Sequence, residues 1–252
     1  MTFKGKTYWL VGASEGLGRA LAQALSAKGA RVILSARNAQ RLAALSNDLD
    51  NSVALPVDVT KATSVAAAAR EIFNRPEKLD GMIYCAGAYE PMRAQDWDST
   101  ATELMGEVNY MGAMRVLSHV VPAMVAKKSG HIVLIGSLAG FRGLPGAIGY
   151  GSSKAAVMHI AENLHADLHS TGVQVQCLNP GFIETRLTNK NQFSMPQLMK
   201  ADQAANFCMR AMSKTGFSAS FPAPFSLLFT LGRFMPLNWF QGIFRLSGNK
   251  PS

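Results

Sequence analysis

Short apolar runs alternate with longer segments whose apolar residues recur every three to four positions. Residues 7–11, with Tyr8-Trp9-Leu10-Val11 at their centre, are continuously apolar and closed by Gly12, which predicts a buried strand. Residues 18–28 place Ala20, Leu21, Ala24 and Leu25 on one helical face and stop at Gly29. The same alternation predicts strands over 31–35, 53–57, 81–85, 131–135, 173–178 and 217–221. Helices are predicted between them over 37–49, 65–73, 100–126, 150–169 and 194–213, the last from the cap-like Ser194-Met195-Pro196.

Parallel strands need long crossovers, and the helices supply them. The repeated strand–helix order therefore predicts an α/β fold: a single doubly wound Rossmann domain of about seven parallel strands, with helices on both faces. We assign residues 1–221 to that domain and residues 222–252 to a hydrophobic, basic tail.

The chain has 252 residues, 48% hydrophobic and 16% charged, which excludes disorder as its overall state. Its three cysteines, Cys85, Cys177 and Cys208, form no Cys-x-x-Cys pair, so neither a disulfide framework nor a zinc site is expected. No metal is assigned. The first apolar run is too short for a signal-peptide core, and no apolar stretch is long enough to span a bilayer. A cytoplasmic protein is expected. Net charge is +9, and the segment from Arg186 onward holds eight Lys or Arg against Asp202 alone. No nucleic-acid motif accompanies this charge, so a phosphate-bearing cofactor is the expected partner rather than nucleic acid.

Gly12-Ala13-Ser14-Glu15-Gly16-Leu17-Gly18 joins the first strand to the first helix. Glycines there let the backbone approach a pyrophosphate, and the helix N-terminus offers free N–H groups and partial positive charge. The spacing is Gly-x-x-x-Gly-x-Gly rather than Gly-x-Gly-x-x-Gly. In this the loop resembles that of the short-chain dehydrogenase/reductase family, and the resemblance extends over about residues 5–221.

The end of the second strand bears on the choice of cofactor. An acidic residue there would hold a ribose 2′-hydroxyl and repel a 2′-phosphate. The chain reads Ala36-Arg37, and Arg37 can meet a 2′-phosphate with charge-assisted bonds of roughly 1.5–3 kcal/mol. Glu15 is a counter-signal near the same phosphate. NADP(H) is expected over NAD(H). The resemblance further implies that Asp58 accepts from the adenine amino group, that Val59 packs beside it, and that Ala86-Gly87 lets the backbone pass the ribose. It also implies that Pro180, Gly181, Ile183 and Thr185 frame the nicotinamide. Cys85 departs from the family pattern, which has Asn before Ala-Gly. We read it as a structural thiol.

Tyr150 and Lys154 are four apart and share a helix face. Ser137 lies thirteen residues upstream at the end of the fifth strand, and Asn109 lies on the preceding long helix. The resemblance supplies Asn109, Ser137, Tyr150 and Lys154 as a catalytic set. Tyr150 is the expected acid for carbonyl reduction. Lys154 is expected to lower its pKa and to bind the nicotinamide ribose. Ser137 would steady the substrate oxygen, and Asn109 would hold a water linking Lys154 to solvent. Reduction of an apolar ketone or aldehyde is the expected activity. The alternatives are oxidation of an alcohol on the same site, or a non-catalytic NADP(H)-binding partner protein.

Residues 88–97, 138–149 and 186–196 are the expected substrate-facing segments, with Tyr89, Met92, Phe141, Leu144, Ile148 and Phe193 among them. Arg93, Arg142 and Arg186 are the candidates to grip a carboxylate. His159, His165 and His169 are expected at a surface or subunit interface. The resemblance implies a homodimer or homotetramer joined through the helices of Asn109 and Tyr150. The tail crowds Phe225, Phe229, Phe234, Trp239, Phe240 and Phe244 among Arg233 and Arg245, and Pro222, Pro224 and Pro236 prevent one long helix. Packing over the cleft or on another subunit is favoured, and peripheral contact with a membrane surface is the alternative.

Overall fold

The structure, a computed structural model, describes residues 2–191 and 193–247. The strands are β1 (Thr7–Val11), β2 (Arg31–Ser35), β3 (Ser52–Ala54), β4 (Gly81–Tyr84), β5 (Gly130–Ile135), β6 (Val173–Pro180) and β7 (Ser218–Phe221). They form one sheet in the order β3-β2-β1-β4-β5-β6-β7. Every pairing is parallel. Strand order reverses between β1 and β4, where an open sheet of this kind leaves a crevice at the carboxyl ends of its strands.

The helices alternate with the strands. They are α1 (Gly16–Ala27), α2 (Ala39–Asn47), α3 (Ala62–Phe73), α4 (Ser99–Met105), α5 (Gly112–Lys127), α6 (Ile148–Asp167) and α7 (Ala201–Met212), followed by α8 (Phe225–Gly232) and α9 (Leu237–Ser247) after β7. Two large apolar clusters result, one on each face of the sheet. Leu10, Leu34 and Ile83 point into one with Leu21 and Leu25 of α1; Trp9, Ile33 and Met82 point into the other with Val116 and Val120 of α5. This alternation is why the central strands read as unbroken apolar runs. A buried chain of bonds crosses the first three strands: Trp9 Nε1 donates to Ser35 Oγ at 2.9 Å, and Ser35 donates to the Leu55 carbonyl at 2.7 Å.

The strand predicted over 53–57 ends already at Ala54, and two predicted helices differ from the structure. The long helix expected over 100–126 is divided by a wider π turn at Gly106–Met111. There the Val108 carbonyl accepts a 2.5 Å bond from the Tyr84 hydroxyl. A turn of this width inserts an extra residue into the helical ladder and redirects the side chains within it. The helix expected from Ser194 begins only at Ala201. Met199 is held beside the end of β6, its N–H on the Phe182 carbonyl and its carbonyl on the Glu184 N–H. Lys200 N–H then donates to Gln203 Oε1 at 3.1 Å, which starts the helix.

As the prolines require, the tail forms two short helices, α8 and α9, rather than one. Phe229 and Phe240 are buried against Leu138, and Gly232 gives room for the Phe240 ring. Residues 248–252 of the predicted tail lie outside the described residues. No helix among the described residues is long and apolar enough to cross a membrane.

Candidate active site

The carboxyl edge of the sheet gathers the sequence-predicted site residues. Gly12 leaves β1 with a φ of +95°, and a Cβ on it would stand 2.4 Å from Ala86 N, inside the segment that leaves β4. A Cβ on Gly18 would stand 1.9 Å from the Gly12 carbonyl. These two approaches account for the glycine spacing: the loop must fold tightly onto α1 and against Ala86-Gly87 at once. Ser14, Glu15 and Gly16 are half-buried, and Leu17 turns into the core. Glu15 is the N-cap of α1 but makes no side-chain cap bond. The first-turn N–H groups are thus left for an anion at the positive end of the helix. This cradle fits a dinucleotide pyrophosphate.

Around it, Arg37 is exposed just after β2, behind Ala36. Asp58 Oδ1 accepts from the Thr60 N–H at 3.1 Å and the Thr60 hydroxyl at 2.7 Å. Burial alone would raise the Asp58 pKa, but these bonds and the charges of Lys61 and Arg37 bring it below the ordinary carboxylate value. Val59 is buried, and its carbonyl accepts from Arg115 at 3.2 Å. Glu15 does not stand alone as an anion. It binds Arg41 at 2.8 Å and Arg186 at 2.7 Å. The bond to Arg186 is the largest influence holding its carboxyl below the ordinary range, with Arg41 adding to it and burial opposing.

Asn109 is fully buried within the π turn. Its Oδ1 accepts from the Ala88 N–H at 2.7 Å, and its Nδ2 donates to the Ala88 carbonyl at 3.0 Å and to Ser153 Oγ at 2.9 Å. One side chain therefore ties the segment after β4 to helix α6. Ser137 follows β5 by two residues and accepts from the Ala139 N–H at 3.1 Å. Tyr150 and Lys154 lie one turn apart on α6, with Lys154 Nζ 5.8 Å from the Tyr150 ring centre. Lys154 is buried and donates to the Ile135 carbonyl at 2.8 Å. A Cβ on Gly87 would lie 3.7 Å from Asn109 Oδ1 and 4.0 Å from Lys154 Nζ, so Gly87 stands beside both side chains.

Electrostatics here differ from the expectation that Lys154 lowers the Tyr150 pKa. Burial is the largest influence on Tyr150 and raises its pKa, opposed by a hydrogen bond with Ser137. Burial also lowers the Lys154 pKa. Cys85 sits beside both groups, and burial pushes its thiol up to about 11, with Lys154 opposing.

The end of β6 closes the site. Pro180 is buried and pairs with Phe221, and the Gly181 N–H donates to the Phe221 carbonyl at 2.8 Å. Ile183 is buried, and its carbonyl accepts from the Thr188 hydroxyl at 2.6 Å. The same hydroxyl accepts from the Thr185 N–H at 3.0 Å. The three expected substrate segments do meet. Met92 N–H donates to the Gly146 carbonyl at 3.1 Å, and the Tyr89 hydroxyl donates to Asn191 Oδ1 at 2.5 Å. The Tyr89 ring stands edge-on to that of Tyr150, centres 4.9 Å apart.

Sequence reasoning missed several participants. Ser153 adjoins Lys154, and its place within Tyr-Gly-Ser-Ser-Lys was the available signal. Arg41 is one helical turn beyond Arg37, but its pairing with Glu15 carried no sequence signal. Of the three arginines named for a carboxylate, Arg186 is held by Glu15. Arg142 donates to the Met235 and Arg233 carbonyls of the tail at 2.9 and 3.2 Å. Arg93 is exposed. His159, His165 and His169 are exposed, and His165 stacks on Phe217.

Comparison with known proteins bears on the family and the fold. The sequence profile of the short chain dehydrogenase family matches residues 6–195. An uncharacterized oxidoreductase of Myxococcus xanthus is 34% identical over 235 residues, covering 92% of this chain and 93% of that protein. A short-chain type dehydrogenase/reductase from Mycobacterium ulcerans superposes with a TM-score of 0.81 at 26% identity, covering 90% of this chain and 92% of that one. A short chain dehydrogenase from Burkholderia cenocepacia, solved in complex with NADP, superposes with a TM-score of 0.82 at 25% identity, covering 92% and 94%. On this fold, this site and these relatives, the protein belongs to the short-chain dehydrogenase/reductase family of oxidoreductases, enzymes that use a nicotinamide cofactor to interconvert CH–OH and C=O groups.

Proposed function

We propose that the protein is an NADPH-dependent reductase of an apolar ketone or aldehyde. The observation that carries this reading is the grouping of Tyr150 with both Ser137, its hydrogen-bond partner, and Lys154, whose Nζ lies 5.8 Å from the Tyr150 ring centre and beside Gly87. Bound NADPH supplies the hydride that adds to the carbonyl carbon. Tyr150 donates its phenolic proton to the carbonyl oxygen as negative charge develops there. Ser137 donates a hydrogen bond to the same oxygen. The Lys154 ammonium stabilises the phenolate left behind and holds the nicotinamide ribose. Asn109 positions the segment from Cys85 to Ala88 against α6 and lies on the route by which a proton returns from solvent.

Preference for NADPH rests on charge. Ala36 presents no carboxylate to a 2′-phosphate, Arg37 stands exposed beside it, and Glu15 is neutralised by Arg41 and Arg186. Ser14, Gly16, Leu17, Asp58, Val59, Ala86, Gly87, Pro180, Gly181, Ile183 and Thr185 complete the proposed cofactor contacts. Commitment of Arg142 and Arg186 elsewhere favours an uncharged substrate. Leu104, Met111, Met114 and Val125 are exposed along α4, the π turn and α5. They suit burial in a homodimer or homotetramer.

The test is NADPH oxidation with a panel of apolar ketones and aldehydes, using wild type and Tyr150→Phe with NADH controls. Loss of the positioned acid is expected to lower kcat/KM by about 10²–10⁴-fold. A mutant as active as wild type overturns the assignment of Tyr150, and preference for NADH overturns that of Arg37.

A further inference from the structure

The tail has two faces. Its inner face packs on the site: Phe229 and Phe240 are buried against Leu138, the neighbour of Ser137, and Gln241 donates to the Gly143 carbonyl. Its outer face is apolar and open. Phe234 is 78% exposed, Trp239 71% and Leu231 63%, with Leu227, Leu237 and Ile243 exposed around them. Those six residues are nearly half of the fourteen large exposed hydrophobic residues among the described residues, within seventeen positions of the chain. The apolar surface also continues into the substrate loop. Phe193, 46% exposed, stands against Phe182 at 5.8 Å, and Phe182 stacks on Phe225 at 5.7 Å.

The charge of this segment indicates what covers it. From Phe225 to Ser247 the chain has no Asp or Glu, while Arg233 and Arg245 are cationic. A second copy placed on this face by a two-fold axis would meet the same carboxylate-free segment. An anionic lipid surface supplies the missing counter-charge, and its acyl boundary takes up exposed Phe, Trp and Leu side chains.

We propose that α8 and α9 dock on an anionic membrane surface, so that the substrate cleft opens toward the bilayer and takes a carbonyl carried on a long apolar chain. The docking half stands independently of the proposed activity; the substrate half rests on it. The ring contacts from Phe193 through Phe182 and Phe225 to the buried Phe229 and Phe240 link the exposed apolar surface to Leu138, beside the proposed catalytic Ser137.

The experiment compares the full-length wild type with the double variant Phe234→Glu/Trp239→Glu, whose positions are exposed and outside the proposed catalytic machinery. Co-sedimentation uses vesicles of phosphatidylglycerol and, separately, of phosphatidylcholine. The wild type is expected to sediment with phosphatidylglycerol, less with phosphatidylcholine, and the variant at least about tenfold less than the wild type. Equal sedimentation of the two proteins, or none, overturns docking. So does self-association of the wild type in ultracentrifugation, abolished in the variant, with no vesicle binding. Reduction of a long-chain ketone held in phosphatidylglycerol vesicles is expected to fall in the variant while reduction of a short water-soluble ketone is unchanged. Equal loss on both ketones overturns the substrate half. If the wild type reduces neither, the reductase reading fails, while sedimentation still decides docking.

Discussion

Asn109 Nδ2 donates to Ser153 Oγ at 2.9 Å, joining the π turn to the helix that carries Tyr150 and Lys154. The same amide holds both the N–H and the carbonyl of Ala88. Asn109→Ala leaves the Ala88 N–H without its partner in a part-buried setting, at a cost of about 1 kcal/mol. We expect a lower unfolding midpoint and a kcat reduced by about 10- to 100-fold, because misplacement of a reacting group by about 1 Å can cost that much. Ser153→Ala removes one of the three bonds and is expected to have the smaller effect on both measurements. Equal or greater loss in Ser153→Ala would show that the Ala88 bonds are not the important ones.

Tyr150 in the cofactor-free protein should ionise above the ordinary phenol range, since burial is its largest influence and the Ser137 bond only opposes it. The phenol is then fully protonated at neutral pH and loses its proton only as pH rises through the raised value. An alkaline absorbance titration of wild type minus Tyr150→Phe reads this directly. Ser137→Ala should move the titration further up. A Tyr150 titration near neutrality would show that Lys154 governs the phenol despite its bond to Ile135.

Arg37 and Glu15 should act on cofactor choice with opposite signs. Arg37→Ala is expected to raise KM for NADPH by about 10- to 150-fold, the equivalent of roughly 1.5–3 kcal/mol of charge-assisted bonding, and to leave NADH unaffected. Glu15→Gln frees Arg41 and Arg186 and should lower KM for NADPH. Stability should change little in Glu15→Gln, because the ion pairs are largely exposed and contribute no more than about 1 kcal/mol. Paired KM measurements with both cofactors check the cofactor expectations, and denaturant midpoints check the stability one.

His131 makes the fold acid-sensitive. It is buried, bonded to Tyr8 at 3.0 Å and Gln176 at 2.9 Å. Burial lowers its pKa to about 4, with the Gln176 bond opposing. The unfolded chain therefore takes up a proton before the folded one does. Stability is complete above the unfolded value of about 6.5 and is lost as pH falls toward about 4, by about 3 kcal/mol. Denaturant midpoints across this window should fall in wild type and fall less in His131→Gln.

What the sequence determined follows from local physics. The strands and helices were legible because burial on both faces makes central strands continuously apolar, and because α1, α3 and α5 each bury one stripe. Gly12 and Gly18 were legible as a pair because each meets a neighbour that no side chain can share space with. Tyr150 and Lys154 were legible because helical geometry puts residues four apart on one face. The start of α7 was not, since Met199 is drawn into pairing with the end of β6, a contact between residues distant in sequence. Nor was the π turn, where the Tyr84 hydroxyl reaches the Val108 carbonyl from another element. The charge state of Glu15 and the use of Asn109 were likewise decided only in three dimensions. Arg41, Arg186, Ala88 and Ser153 come from separate segments, and only packing of the sheet and its helices brings them within bonding distance.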